Sequence, residues 1–286
     1  MLNQPKTAVH FIAKELANPV HPITVNLIGA GGTGSHLLAQ LADTAYVLLQ
    51  CGHPGFFVQC FDAETISQPN VARGRFSPAE IGINKAVALI NRANRTYGFD
   101  WRAVPEHFGE NMLQYNYTSQ VPHAMITISC VDEVKPRHLI AKILKASNKE
   151  YMAPHHKPLY WLDCGNSTFT GQAILSTVKP IEQPKVKPYS VVSTLPMITD
   201  EFGHLLIDVP SQPSCSTMEA IASQDLFINR EVATSAMRLL WQLLRNQSTT
   251  CRGIFTNLLT NEQRPLPVKV LPKVKKRKQP QLETSA

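Results

Sequence analysis

Three groups of residues along the chain have types and spacings suited to chemistry. The first is the run Gly29-Ala30-Gly31-Gly32-Thr33-Gly34-Ser35, which follows an apolar stretch from Ile23 to Ile28 and precedes a helical pattern from His36 to about Gln50. Glycine lets a backbone turn tightly and approach a phosphate with no Cβ in the way. A helix start just beyond offers unpaired N–H donors and the positive end of a dipole. In strand, turn, helix order the run reads as a nucleotide site, with Gly29, Gly31, Gly32, Gly34 and Ser35 against the phosphates.

The second group begins at Asp62, at the end of the next apolar run, Phe56 to Phe61. A carboxylate at a strand end accepts hydrogen bonds from ribose hydroxyls. Asp62 lies 28 residues after Gly34, further than the roughly 20 of the usual dinucleotide fingerprint. Spacing alone therefore leaves NAD and FAD open. Asn70, Arg73, Arg75 and Lys85 then follow within one short stretch. A hydride-transferring enzyme gains little from such a cationic cluster, whereas an enzyme that handles a triphosphate needs it. Arg73 and Lys85 would neutralise charge on a leaving pyrophosphate, and the Asn70 amide would orient phosphate oxygens. The third group is Asp132, at the end of a later strand, where a hard cation such as Mg²⁺ would sit beside those phosphates.

Cys215 stands apart from these groups. It ends a proline-rich stretch and precedes Ser216-x-x-Glu219, which has the form of a helix-starting capping box. Access from a loop and a helix N-terminus both favour an activated thiolate. Cys130 and Cys164 lie at strand ends and read as core residues. No two of the six cysteines are spaced as CxxC, so no four-cysteine zinc site is expected. His155-His156 reads as a surface pair in a turn.

The elements that must hold these residues alternate. Residues up to about Asn18 read as an amphipathic helix, with Val9, Ile12, Ala13 and Leu16 on one face. Strands are expected over 23–28, 56–61, 101–104, 124–130, 159–162 and 172–178, and helices over 36–50, 84–94, 136–146 and 225–245. Continuous apolar strands alternating with helices signal a doubly wound α/β fold with a parallel, Rossmann-like sheet. From 180 to about 215 prolines interrupt any regular element, leaving a long loop with one hairpin near Asp200 to His204. Loops of that length are usually functional or disordered. Two closing strands follow, over 253–258 and 266–271. The domain plan is thus an N-terminal helix over 1–20, one ATP-binding unit over 21–271 and a tail over 272–286.

Composition fits one α/β unit with a large insertion. The chain has 286 residues, 43% hydrophobic and 17% charged, which excludes a solvated disordered protein. The net charge is +7, and the segment 268–286 carries Lys269, Lys273, Lys275, Lys276, Arg277 and Lys278 against Glu283, which is +5 of that total. The basicity therefore belongs to a frayed tail, or to a tail that meets an acidic partner, and not to a nucleic-acid-binding fold. No apolar stretch approaches the roughly 20 residues of a membrane span. Lys14 and Glu15 interrupt the apolar run nearest the start, so a cytoplasmic protein with reduced cysteines is expected.

The order and spacing of these residues resemble the E1-like ThiF/MoeB/HesA superfamily. GxGGxGS, then Asp62, Asn70 eight residues on, Arg73 three later, Lys85 twelve further and Cys130-Val131-Asp132 follow the family pattern, and Arg137 also fits it. The resemblance runs from about Thr24 to Leu271. The stretch Gln224 to Asn229 is similar to the ThiF-related branch of bacterial PRTRC gene cassettes. The resemblance implies an ATP- and Mg²⁺-dependent adenylyltransferase. Its target would be the C-terminal carboxylate of a ubiquitin-like or sulfur-carrier protein, and the expected assembly is a homodimer. Asp62 would then bind ribose, Asn70, Arg73 and Lys85 the phosphates, and Asp132 Mg²⁺. Cys215 would lie in the crossover region, where some E1-like proteins form a thioester. Gly74 departs from the family's Gln, and residues 1–22 hold no Arg that would reach a partner's ATP site. Arg75 is the residue in this chain that would take its place. A member that binds nucleotide without catalysis is the alternative these departures suggest.

Overall fold

The computed structural model describes residues 6–109, 123–147, 157–207 and 224–270. Its elements in chain order are β1 (Ala8–Phe11), α1 (Lys14–Ala17), β2 (Ile23–Ile28), α2 (Gly32–Gln50), β3 (Phe56–Phe61), α3 (Gln68–Arg73), α4 (Lys85–Tyr97) and β4 (Arg102–Val104). They continue with β5 (Ile126–Ser129), α5 (Val134–Ser147), β6 (Tyr160–Asn166), β7 (Thr170–Thr177), β8 (Ser190–Val191), α6 (Ile198–Glu201), α7 (Ile228–Asn246), β9 (Ser248–Thr249), β10 (Cys251–Asn257) and β11 (Glu262–Pro267). The main sheet has eight strands in the order β11-β10-β7-β6-β5-β2-β3-β4. From β2 the chain moves outward through β3 to β4 on one side, and then to β5 and β6 on the other. Helices α2, α4 and α7 cover one face, and α5 and α6 cover the other. The fold is the doubly wound one expected, and its switch point lies between β2 and β5.

Only part of the sheet is parallel. Strands β6, β5, β2, β3 and β4 run parallel, while β7, β10 and β11 run antiparallel to their neighbours. The cause is loop length. Residues 167–169 alone join β6 to β7 and residues 258–261 join β10 to β11, too few for the crossover that parallel neighbours need. The outer strand β11 carries Pro265 and Pro267, which cannot donate to a further strand.

The expected N-terminal helix is a strand. Val9, Ile12, Ala13 and Leu16 are buried as a helix would bury them, but Ala8–Phe11 is extended between β8 and β9 in a small second sheet. Only Lys14–Ala17 turns helically. Tertiary partners decide the matter. His10 is fully buried, with Nδ1 2.7 Å from the Val192 carbonyl and Nε2 2.9 Å from the Tyr160 hydroxyl. The Tyr160 oxygen also accepts from the Ala13 N–H at 3.0 Å. These partners fix a neutral imidazole that donates from Nδ1 and accepts at Nε2. Burial holds His10 below its ordinary range, against the carbonyl that favours its charge.

The crossover segment differs from expectation too. In place of a hairpin near Asp200, α6 and a turn of 3₁₀ helix at Gly203–Leu205 pack on the sheet. Met197 and Ile198 are buried against α5, and Glu201 pairs with the buried Arg252 of β10. His155-His156, Cys215, the Ser216 capping box and the tail from 271 lie outside the described residues.

Tyr160→Phe removes the oxygen that serves both His10 and Ala13. The variant is expected to lose about 1–3 kcal/mol of stability, read as a lower denaturant midpoint with an unchanged slope.

Candidate functional site

The turn after β2 is shaped by close approach. Gly29 has φ +88°, and its N–H donates to the Phe61 carbonyl at 2.9 Å. A Cβ on Gly29 would lie 2.6 Å from the Cys130 oxygen, and one on Gly34 would lie 1.9 Å from the Gly29 oxygen. Neither position admits a side chain. At Gly31 an added Cβ meets nothing within 4 Å, so the loop is open on that side. Helix α2 begins at Gly32, aiming its N-terminus at this opening. Ser35 is buried. Its hydroxyl donates to the Gly32 carbonyl at 2.8 Å and accepts from the Arg75 N–H at 2.9 Å. It therefore ties the loop to the segment after α3.

The neighbouring strand ends flank the opening. Asp62, after β3, accepts the Ala30 N–H on Oδ2 at 2.7 Å and the Glu64 N–H on Oδ1 at 2.9 Å. Asn84 stitches this exit to α4. Its Nδ2 donates to the Asp62 and Glu64 carbonyls at 2.8 and 3.1 Å, and its Oδ1 caps the helix at Val87. Lys85, buried at the start of α4, pairs with the exposed Glu64 carboxylate. That pairing holds the Glu64 carboxyl below its usual range, chiefly through the hydrogen bond. Asn70 uses Oδ1 to accept the Ser67 N–H at 2.9 Å, closing the first turn of α3. Arg73 ends that helix.

Asp132 follows β5. Its side chain is exposed. Loss of solvent raises its carboxyl above the ordinary range, the charges of Arg137, Arg73 and Lys85 oppose this, and Glu64 adds to it. Arg73, Lys85, Glu64 and Asp132 therefore share one electrostatic neighbourhood beside the glycine loop. Arg137 reaches it from below. Its guanidinium is buried, with Nε 3.2 Å from Asp163 Oδ2, Nη2 donating to the Val131 carbonyl at 2.6 Å and Nη1 to the Glu133 carbonyl at 3.2 Å. One guanidinium thus holds both residues that flank Asp132. Asp163 in turn accepts from Ser129 Oγ at 2.6 Å, and Ser129 from Trp161 Nε1 at 2.8 Å.

Arg75 follows α3, and its backbone N–H bonds to Ser35 of the glycine loop. Its charge acts on His36 and Tyr97. Cys130 and Cys164 are both buried. The Cys164 thiol is pushed up, first by its hydrogen bond to Cys130 and then by burial, as suits core residues. Sequence reasoning missed Asn84 and Asn229, the latter on α7 with its side chain packed against Gly32. Asn84 carries no motif, and the resemblance over Gln224 to Asn229 assigned Asn229 no role. A separate cavity of about 270 Å³, lined by Lys14, Leu159, Lys179 and Glu182, lies at the opposite ends of the strands.

Among the described residues, no group of three or more His, Cys, Asp or Glu gathers that could hold a metal. Mg²⁺ does not require one. It takes one or two carboxylates and completes its octahedron with phosphate and water oxygens, and a lone Asp132 beside the N-terminus of α2 fits that pattern.

An eight-stranded doubly wound sheet with a glycine loop, an acid on the next strand end and a cationic cluster around Asp132 defines an E1-like nucleotide-binding unit. The sequence matches the ThiF family over residues 4–280, and the chain belongs to that family. Among solved structures it is similar to PaaA, at 11% identity and TM-score 0.56 over 90% of this chain and 66% of that one. It is also similar to E. coli MccB solved with AMPCPP and MccA, at 13% identity and TM-score 0.54 over 88% and 65%. The MccB structure with MccA alone gives 13% identity and TM-score 0.55 over 88% and 65%. At these identities the likeness is one of fold. The chain spans just under two thirds of the length of each. No curated protein matches by sequence. No helix among the described residues is long and apolar enough to cross a membrane.

His36, in the first turns of α2, bonds to the Arg73 carbonyl, and burial followed by Arg230 and Arg75 lowers it from 6.5 to about 4. Between those values the unfolded chain holds a proton that the folded one refuses, so stability falls as pH drops from 6.5 toward 4. His10 acts in the same direction. The His36 share is about 3 kcal/mol at most. A His36→Gln variant is expected to show a shallower fall in melting temperature across that window than the wild type.

Proposed function

We propose that this chain is an ATP-dependent adenylyltransferase acting on the C-terminal carboxylate of a ubiquitin-like or sulfur-carrier protein. The convergence of Arg73 and Lys85 on Asp132 beside the glycine loop carries the reading. A nicotinamide or flavin enzyme has no use for that charge at that place. Residues 21–271 would form the ATP-binding unit, with 180–215 crossing over it.

In this reading Asp62 binds the ribose. Each of its oxygens already accepts one backbone N–H, and a carboxylate oxygen has a second lone pair for a hydroxyl. The loop and the N-terminus of α2 take phosphate oxygens, with Asn70 and Arg73 alongside. Lys85 exchanges Glu64 for a phosphate. Asp132 holds Mg²⁺, which when bound neutralises phosphate charge. The substrate carboxylate oxygen attacks the α-phosphorus, the bond to the bridging oxygen breaks, and pyrophosphate leaves with its charge met by Arg73 and Lys85. The chain's own contribution is positioning and fixed positive charge. Cys215 would then attack the acyl carbon and release AMP, giving a thioester. MccB solved with AMPCPP, an ATP analogue, and MccA supports a site shared by a nucleotide and a second component. A cytoplasmic homodimer of the PRTRC branch completes the proposal. Gly74, where the family pattern has Gln, and the lack of an Arg in residues 1–22 favour a second reading, a nucleotide-binding module without catalysis.

A thermal-shift panel with Mg-ATP, ATP plus chelator, NAD, NADPH and FAD tests the reading without the partner. A ligand at 100 times its Kd adds about 2.7 kcal/mol. Mg-ATP alone should stabilise the wild type, and stabilisation by NAD or FAD alone would overturn the proposal. Gly31→Ala should melt like the wild type without ligand and lose the Mg-ATP shift, since its new methyl enters the open side of the loop. In calorimetric titrations, chelator should weaken ATP binding to the wild type and change nothing in Asp132→Ala. A persistent chelator effect in that variant would move the metal elsewhere. Release of labelled pyrophosphate from ATP, in the presence of the carrier, separates the enzyme from the silent module.

A further inference from the structure

We infer that Asn229 is a positioning residue for nucleotide binding, locking the glycine loop to the Arg73 end of α3; the inference rests on the ATP-binding reading above. Asn229 lies in the first turn of α7 and is 3% exposed. Its amide is filled on both sides. Oδ1 accepts from Thr33 Oγ1 at 2.9 Å and from Asn166 Nδ2 at 3.3 Å. Nδ2 donates to Gln224 Oε1 at 2.9 Å and to the Arg73 carbonyl at 3.5 Å. Four segments that are remote in sequence thus meet on one side chain: the loop, the end of α3, the end of β6 and the residues leading into α7.

The consequence is directional. A primary amide offers two acceptor lone pairs and two N–H donors. With all of these engaged, the group cannot rotate without breaking a bond in a dry site. The same side chain lies 2.7 Å from where a Cβ on Gly32 would be, so it also sets how deep the loop sits. Thr33 points its hydroxyl inward to Asn229 and Asn166, away from the open side at Gly31. The loop and Arg73 are the two parts expected to hold one triphosphate, and Asn229 fixes the distance between them. A hydrophobic residue of like size would keep the packing and lose that register.

The test is titration of the full chain with Mg-AMPCPP, together with unliganded melting, for the wild type, Thr33→Val, Asn229→Ala and the double variant. Thr33→Val is nearly isosteric and should melt close to the wild type while binding about tenfold more weakly. Asn229→Ala should bind at least as weakly as Thr33→Val. The double variant should be no worse than Asn229→Ala alone, because both substitutions break one link. If Asn229→Ala does not fold, Thr33→Val still decides the matter. Variants that melt lower but bind like the wild type, or losses that simply add, overturn the positioning role and leave the ATP-binding reading standing. A wild-type chain that does not bind Mg-AMPCPP overturns both.

Discussion

Strand β2 must leave the sheet through a gap between two strands already bonded to it. The chain turns within hydrogen-bond reach of both neighbours, with Gly29 donating to Phe61 on one side and Cys130 donating to Ile28 on the other. It then folds back so closely that Gly34 rests on the Gly29 carbonyl. No residue with a Cβ fits these two places. Once the turn is fixed, the direction of α2 is fixed, and so is the point at which its N-terminal dipole acts. The ends of β3 and β5 are then held on either side, which brings Asp62 and Asp132 to the same mouth.

The charges at that mouth are balanced before any ligand arrives. Lys85 holds Glu64, Arg137 holds Asp163, and Asp62 is met by two backbone N–H groups. A site that gathers several cations would otherwise repel itself and weaken the fold. The pairs differ in kind. Arg137 and Asp163 are both buried, and breaking such a pair leaves a charge without compensation; this one is a fixed strut. Glu64 is mostly exposed while Lys85 is buried, so this pair is screened on one side only.

Much of this was legible in the sequence, for reasons that differ by residue. The glycine run announced the turn because only steric need explains four glycines in six positions. Asp62, Lys85 and Asp132 were readable because each stands at a strand end or a helix start, where the sheet's topology must gather them, and Arg73 was readable from its spacing between them. The strand at Ala8–Phe11 was not readable as such. Its apolar residues suit a helix face equally well, and the partners that extend it, Val192 and Tyr160, lie more than a hundred residues away. The antiparallel half was hidden in turn lengths, which were short at 167–169 and 258–261 while the strands looked like any buried strand. Asn229 stood in a stretch noted for its resemblance, but its contacts were not readable there, since they come from four neighbours that only the folded chain assembles.

The small sheet around β1 has a consequence for how the protein is made. Ala8 pairs with Ser190 and Phe11 with Ser248. At about 5–20 residues added per second, a ribosome needs roughly 10–50 s to go from the first of these segments to the last. Over that interval β1 lacks its second partner strand, β9. The main sheet has most of its strands in hand well before then. Contacts of such sequence separation form late and slowly, so the closing of this small sheet belongs to the last stage of folding.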